Sequence, residues 1–340
     1  MKYIFALCDY KGYFGSKYYP VIYRSGMDKN KLSSFFYEYG YNIQYINMSV
    51  APLEIEVDSN PFIYSSQEDS KYLYKNFIED IIYGLEIKGA ITIPSYKFLR
   101  ATNNKVFMEI LRNQLLPNKY NIKSLLFGTV DELMASLDNI FYPCIVKTAG
   151  GAVSKGVFKA NSKRELLSIV RRISRSKDKK YELIDRVRAI RHPGYKRDSL
   201  YRSKFIVQDY YSGIFNDWKV LVFYDKIYVL RRNNRPNDFR ASGSGLFSFD
   251  EKVDERLLES AEEIRKCLNI PMVSLDLSFQ DDKVVLFEFQ GVHFGVSTLE
   301  KSHYYYTKIN GVWEQIYTKS VLEEIYAETI VKYLEERNLK

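Results

Sequence analysis

The segment SLDLSFQDDKVVLFEFQ, Ser274 to Gln290, admits few folds. Two runs that alternate polar or acidic residues with apolar ones flank a short acidic turn. This is the pattern of an antiparallel hairpin with one apolar face and one polar face. Alternation puts Ser274, Asp276 and Ser278 on one side and Leu275, Leu277 and Phe279 on the other. On the return strand Glu288 and Gln290 share a face, opposite Phe287 and Phe289. A turn made of the residues Asp281 to Lys283 would set Asp276 directly across from Glu288. Like charges facing each other across strands are destabilising, so the pair asks for a cation. Oxygen donors suit Mg²⁺ or Mn²⁺ rather than zinc, and Mg²⁺ typically shares its shell with phosphates. The alternative is an exposed polar face on an edge hairpin.

A second stretch, YPCIVKTAGGAVSKGV from Tyr142 to Val157, ends an apolar strand in Lys147 and follows it with Gly150, Gly151 and Gly156. The order is neither that of a phosphate loop ending in Gly-Lys-Ser/Thr nor a dinucleotide fingerprint. A lysine that precedes its glycines suits a flap over phosphates; a strand-end lysine in water is the simpler alternative.

Residues 1–98 alternate strand and helix signals. Apolar runs at Tyr3–Leu7 and Ile43–Ile46, helical spacing over Asp28–Tyr39 and Asp69–Tyr83, and GAITIP closed by Pro94 predict a small α/β layer with a parallel sheet. From Thr102 a helix with Lys105 in its first turn is expected to turn Val106, Ile110 and Leu111 to one face. Thr129 with Glu132, and Ser162 with Glu165, have capping-box spacing. Residues 171–204 are dense in Lys and Arg and predict a surface excursion. Strand-like runs follow, with helices over Glu255–Leu268 and about Ser320–Arg337.

No run approaches the roughly 18 apolar residues of a membrane span. The three cysteines are far apart and predict reduced residues of a cytosolic protein. The net charge of +8 accompanies 30 tyrosines, a background that AT-rich coding also produces. A basic surface still favours anionic partners.

Taken in order, Lys105, Lys147 with its glycines, VQDYY, DWK, RPNDFRASGSG, the acidic strand and EFQ resemble the ATP-grasp family, most of all its branch of glutathione synthetase and ribosomal-protein glutamate ligases. The resemblance covers roughly residues 95 to 300. It implies an α/β and α+β chain: an ATP-grasp fold after a small α/β domain at 1–98, with a nucleotide-flap subdomain at 99–205 and a core at 206–340. It further implies that Lys105 and Lys147 contact ATP phosphates, and that Gln208, Asp209, Tyr210 and Tyr211 form the adenine hinge, largely through backbone groups. Asp217 falls near the ribose and Arg240, Ala241 and Ser242 near the triphosphate, with Arg240 in a catalytic position. Asp276, Glu288 and Gln290 hold magnesium. His293, just past the metal strand, is a candidate proton acceptor, with a packed loop histidine as the alternative. Arg24, Ser65 and Ser66 are candidates for substrate contact. Two departures stand out: Gln290 replaces the family's usual Asn, and Lys219 an Arg.

The activity implied is ATP-dependent joining of a carboxylate and an amine through an acylphosphate. The partners are a small or polymer-linked carboxylate and an amine, with no membrane partner and nucleic acid disfavoured. The rival readings are a non-catalytic ATP-binding relative, and a binder of nucleic acid or acidic polymer through 171–204.

Overall fold

The computed structural model describes residues 2–17, 26–51, 60–67, 69–151, 156–235, 245–249 and 252–337. The chain divides into two compact units, Met1–Thr102 with Ile214–Lys340, and Asn103–Gly213.

The first unit begins with β1 (Lys2–Cys8), α1 (Lys29–Glu38), β2 (Tyr41–Asn47), β3 (Phe62–Tyr64), α2 (Leu73–Ile87), β4 (Thr92–Ile93) and α3 (Tyr96–Ala101). The strands form a parallel sheet in the order β2-β1-β3-β4, as the strand–helix alternation predicts. β3 is buried along its whole length, as a parallel strand covered on both faces must be. The Asp28 carboxylate caps α1 by accepting from the Asn30 and Lys31 N–H groups.

The second unit runs through α4 (Lys105–Leu115), β5 (Ser124–Thr129), α5 (Val130–Met134), β6 (Cys144–Thr148), β7 (Val157–Ala160), α6 (Lys163–Ser174), α7 (Lys179–Arg191) and β8 (Arg202–Asp209). Its antiparallel sheet has the order β5-β8-β6-β7. One face packs Cys144, Val146, Phe205 and Val207 against Leu166 and Val170 of α6. Thr129 and Glu132 form a complete capping box on α5. At α6 the Ser162 hydroxyl accepts from the Glu165 N–H, while the Glu165 carboxylate accepts from the Asn161 N–H one residue further out.

One expectation is corrected in this unit. α4 does not bury Val106, Ile110 and Leu111 together. Its buried residues are Lys105, Met108, Glu109, Leu111 and Arg112, and Ile110 is 43% exposed. A paired charge can take a core position, and Glu109 with Arg112 does so at 3.1 Å. The excursion at 171–204 is largely exposed, as expected, and contains the helix α7. Only Asp185 of that helix is buried, so its apolar residues give no core-facing period.

The first unit resumes with β9 (Asn216–Phe223), β10 (Lys226–Asn233), β11 (Phe247–Ser248), α8 (Glu255–Leu268), β12 (Met272–Gln280), β13 (Lys283–Gln290), α9 (Ser297–Lys301), β14 (Tyr304–Ile309), β15 (Val312–Tyr317) and α10 (Leu322–Glu336). The strands pair antiparallel in the order β13-β12-β9-β10-β14-β15, with β11 beside β10. Phe223, Met272 and the buried face of α10 join Ile4, Leu32 and Phe36 in one core. The buried Glu323 carboxylate ties α10 to the start of α1 by accepting from the Asp28 N–H at 2.8 Å. Cys8, Cys144 and Cys267 are all free thiols. Among the described residues no helix is long and apolar enough to cross a membrane.

Candidate functional site

The β12–β13 hairpin sets Asp276 opposite Glu288 and Ser274 opposite Gln290. The route to that register differs from the expected one. The turn is Asp281–Asp282, since Gln280 already pairs with Lys283, and a bulge lies between Asp276 and Leu277. Leu277 faces Leu286 while Asp276 faces Glu288, so Phe287 is the extra residue. Strict alternation would leave Leu286 on the face of Glu288. The bulge turns it to the side of Leu277, where both are fully buried.

On its other edge Asp276 pairs with Lys219 of β9. A polar row, Glu288–Asp276–Lys219, therefore crosses three strands. On the same strand as Lys219, Asp217 lies opposite Arg232 of β10, one strand further on. The Arg232 guanidinium donates to Asp217 through Nε (2.5 Å) and Nη2 (2.7 Å), and its Nη2 also lies 3.1 Å from Asp276 Oδ1. The Lys219 ammonium donates to the same Asp276 oxygen at 3.0 Å. Burial by itself would raise the Asp276 carboxyl, but Arg232 and Lys219 together hold it well below the usual carboxylate range. At Asp217 burial prevails over Arg232 and lifts the carboxyl to about 6.

Arg232 is the member of this cluster that sequence reasoning missed. The signal was available in VLRR, where an apolar strand ends in two arginines and alternation sends one of them inward.

Glu288 and Gln290 sit side by side on the same face, with the Gln290 amide nitrogen donating to Glu288 Oε1 at 3.3 Å. Among the described residues no group of three or more His, Cys, Asp or Glu side chains is gathered as for a metal ion. A magnesium ion here would take Asp276, Glu288 and the Gln290 amide oxygen. These hard oxygen donors fit its chemistry, with phosphate or water completing the shell.

In the second unit Lys105 opens α4 and is 7% exposed. Its ammonium donates to the Gly151 carbonyl at 3.3 Å, and its backbone N–H to the Ala149 carbonyl at 2.9 Å. The lysine and the glycine loop thus meet. Lys147 lies on β6 between Val157 and Ile206, on the sheet face away from the apolar core. The Thr148 hydroxyl donates to the Gly150 carbonyl at 2.7 Å, and the Thr148 N–H to that of Gly156 at 2.9 Å. A Cβ on Gly156 would come within 2.0 Å of the Thr148 hydroxyl, and Gly151 has φ +112°, so both positions need glycine.

Gln208 and Asp209 end β8, and Tyr210 and Tyr211 lead to the end of the unit at Gly213. The Gln208 amide is committed: it donates to the Ser124 hydroxyl at 2.8 Å, which donates to Glu109 at 2.9 Å. Its side chain is therefore taken up in a buried network. The Lys159 ammonium stands 3.9 Å from the centre of the Tyr210 ring.

His293 and Ser65 line one pocket inside the first unit, together with Ser16, Tyr64, Met27 and Phe294. The Tyr64 hydroxyl is buried there without a hydrogen-bond partner among the described residues. Ser66 is buried beside this loop, its carbonyl accepting from the Ser65 hydroxyl. Arg24, Arg240, Ala241 and Ser242 lie outside the described residues. His192 is exposed, and Tyr304 and Tyr306 pack edge to face in the sheet.

No family model and no curated protein matches the sequence. Solved structures do. D-alanine–D-alanine ligase from Bacillus anthracis aligns over 99% of both chains at 15% identity, with a TM-score of 0.54. The RimK domain protein ATP-grasp from Sphaerobacter thermophilus aligns over 98% of this chain and 99% of its own at 10% identity, TM-score 0.51. The macrocyclase MdnC bound with the precursor peptide MdnA, from Microcystis aeruginosa, covers 98% and 100% at 10% identity, TM-score 0.51. These likenesses extend along nearly the whole chain.

Proposed function

From the premise that the chain has the ATP-grasp fold, we propose that it is an ATP- and magnesium-dependent carboxylate–amine ligase. The observation that carries this reading is the shared face of Asp276, Glu288 and Gln290. Lys219 and Arg232 already partner Asp276 on that face, and a magnesium ion would join Glu288 and the Gln290 amide oxygen beside them.

In this reading the substrate carboxylate attacks the γ-phosphate of ATP, releasing ADP and forming an acylphosphate. The amine then attacks the acyl carbon, an amide bond forms and phosphate leaves. Such chemistry asks the protein mainly to position groups and neutralise charge. Lys105 and Lys147 balance phosphate charge, and Lys105 also fixes the glycine loop through Gly151. Backbone groups at Asp209 to Tyr211 read the adenine edge, while Gln208 holds that strand end in place through Ser124. Arg240, Ala241 and Ser242, outside the described residues, are assigned to the triphosphate by the resemblance alone. Magnesium, when bound, supplies charge neutralisation at the phosphates. His293 and Ser65 line one pocket, and the proposal assigns that pocket to the acceptor and the amine proton to His293. The functional division 1–98, 99–205 and 206–340, and a cytosolic location, belong to the same proposal.

One observation favours the non-catalytic relative. Lys219, where the family usually has Arg, donates directly to Asp276 and competes with a metal for its oxygen. An ADP-release assay against a panel of acids and amines separates the readings. Acid- and amine-dependent release supports a ligase. Binding of ATP without release in any pairing supports the non-catalytic form.

A further inference from the structure

The basic charge of this protein is confined to one place. Residues 171–204 hold thirteen Lys and Arg against four Asp and Glu, a net +9 where the whole chain has +8. The rest of the chain is therefore close to neutral, so a uniform compositional background does not account for the charge.

All four acids of the stretch are used internally. Asp178 caps α7 by accepting from the Tyr181 N–H at 2.9 Å. Glu182 pairs with Arg202 at 2.7 Å. The fully buried Asp185 accepts from the Tyr195 hydroxyl (2.7 Å) and from Arg197 (3.2 Å). Asp198 accepts from the Tyr181 hydroxyl at 2.6 Å. The inner side of α7 is thus pinned by hydrogen bonds, with no apolar residue among its buried ones.

Its outer side carries three of the exposed apolar residues, while Ile184, 41% exposed, lies about a quarter-turn away beyond Lys180. Leu183, Val187 and Ile190 have the i, i+4, i+7 spacing of a single stripe and are 63%, 38% and 78% exposed. Helical geometry places Lys180 and Arg191 along one flank of that stripe and Lys179 and Arg186 along the other, all exposed. Because the flanks are exposed, the stripe is a crest and not the wall of a groove.

We propose that α7 is a membrane-surface element: its stripe enters the headgroup–acyl boundary of an anionic bilayer while the flanking cations meet lipid phosphates. A bilayer offers a layer of negative charge with an apolar layer directly beneath it, which matches a convex apolar crest between two rows of cations. Nucleic acid offers the charge without the apolar layer and gives no use to exposed Leu183 and Ile190. A peptide partner would favour a groove. This surface site is independent of the ligase reading, and it departs from the expectation of no membrane partner.

The test is flotation of the full chain with phosphatidylglycerol–phosphatidylcholine vesicles and with pure phosphatidylcholine vesicles. Binding to the anionic vesicles alone is expected, weakening as salt is raised. The triple variant Leu183→Ser, Val187→Ser, Ile190→Ser should lose roughly 100-fold in vesicle affinity, from the apolar area withdrawn. Its thermal melt and ATP binding should match the wild type, because the three side chains are solvent-exposed. Three outcomes overturn the proposal: no vesicle binding, equal binding to neutral vesicles, or a triple variant that binds as well as the wild type. Preferential binding of a short duplex DNA or of polyglutamate in competition with the vesicles overturns it in favour of a polyanion site.

Discussion

Arg232 clasps Asp217 through two parallel hydrogen bonds and reaches Asp276 with the same guanidinium nitrogen that makes one of them. All three side chains are largely removed from water. Replacing Arg232 with Met would leave two acids facing Lys219 alone. Removing one partner of a buried ion pair costs about 3–5 kcal/mol, so Arg232→Met should lose roughly that much stability in urea denaturation. Arg232→Lys should lose less, since it keeps the charge but not the fork. A Met variant within about 1 kcal/mol of wild type would contradict the clasp as a structural element.

Asp217 gives the cluster a pH dependence. Burial lifts its carboxyl to about 6, above the roughly 4 of an unfolded aspartate. Between those values the folded protein holds a proton that the unfolded chain has released. The stabilisation from that proton is complete below about pH 4 and is lost as pH rises through about 6. Comparing wild type with Asp217→Asn, the stability difference should move against the wild type from pH 4 to 6 and then level off. Denaturation at a series of pH values measures it, and a flat difference would refute the shift.

Glu288→Ala should abolish magnesium-dependent turnover and weaken magnesium-dependent ATP binding, because it removes one of two acidic donors from the shared face. Gln290→Asn should retain or raise activity, since the amide oxygen stays and the chain is one methylene shorter. Full activity in Glu288→Ala would remove this face from the reaction.

ATP with magnesium should raise the melting temperature far more than GTP does, because backbone groups at the end of β8 have fixed polarity. Lys147→Ala should cut ATP affinity roughly 10- to 100-fold while leaving the melt of the apo protein unchanged. Lys105→Ala should show the same loss together with a small destabilisation, as it also releases the Gly151 carbonyl. Equal stabilisation by both nucleotides would refute the hinge.

Much of this was legible in the sequence where the signal is local. The parallel sheet of the first unit and the Thr129 cap follow from period and spacing, and so does the face shared by Glu288 and Gln290; the pairing of Asp276 with Glu288 is reached through the bulge at Phe287. What escaped was set by distant partners. The buried face of α4 follows Glu109 and Arg112, whose burial depends on Ser124 and on the Tyr120 carbonyl. α7 was hidden because its periodic residues face water. Arg232 acquires its meaning from Asp217 and Asp276, which lie on two other strands.

The extra residue at Phe287 divides the hairpin into two ladders that keep separate phase. The inner one, holding Asp276 and Glu288, is indexed from the middle of the sheet through the pairing of Asp276 with Lys219. The outer one is indexed from the turn, through Gln280 and Lys283. Leu277 of the outer ladder is itself paired with Trp218 of β9. A one-residue change at Asp281–Asp282 would therefore turn the buried Leu286 away from it before reaching the carboxylates, with Phe287 as the joint between the two ladders. The hairpin can carry a spectroscopic label at its tip while the carboxylates stay in line.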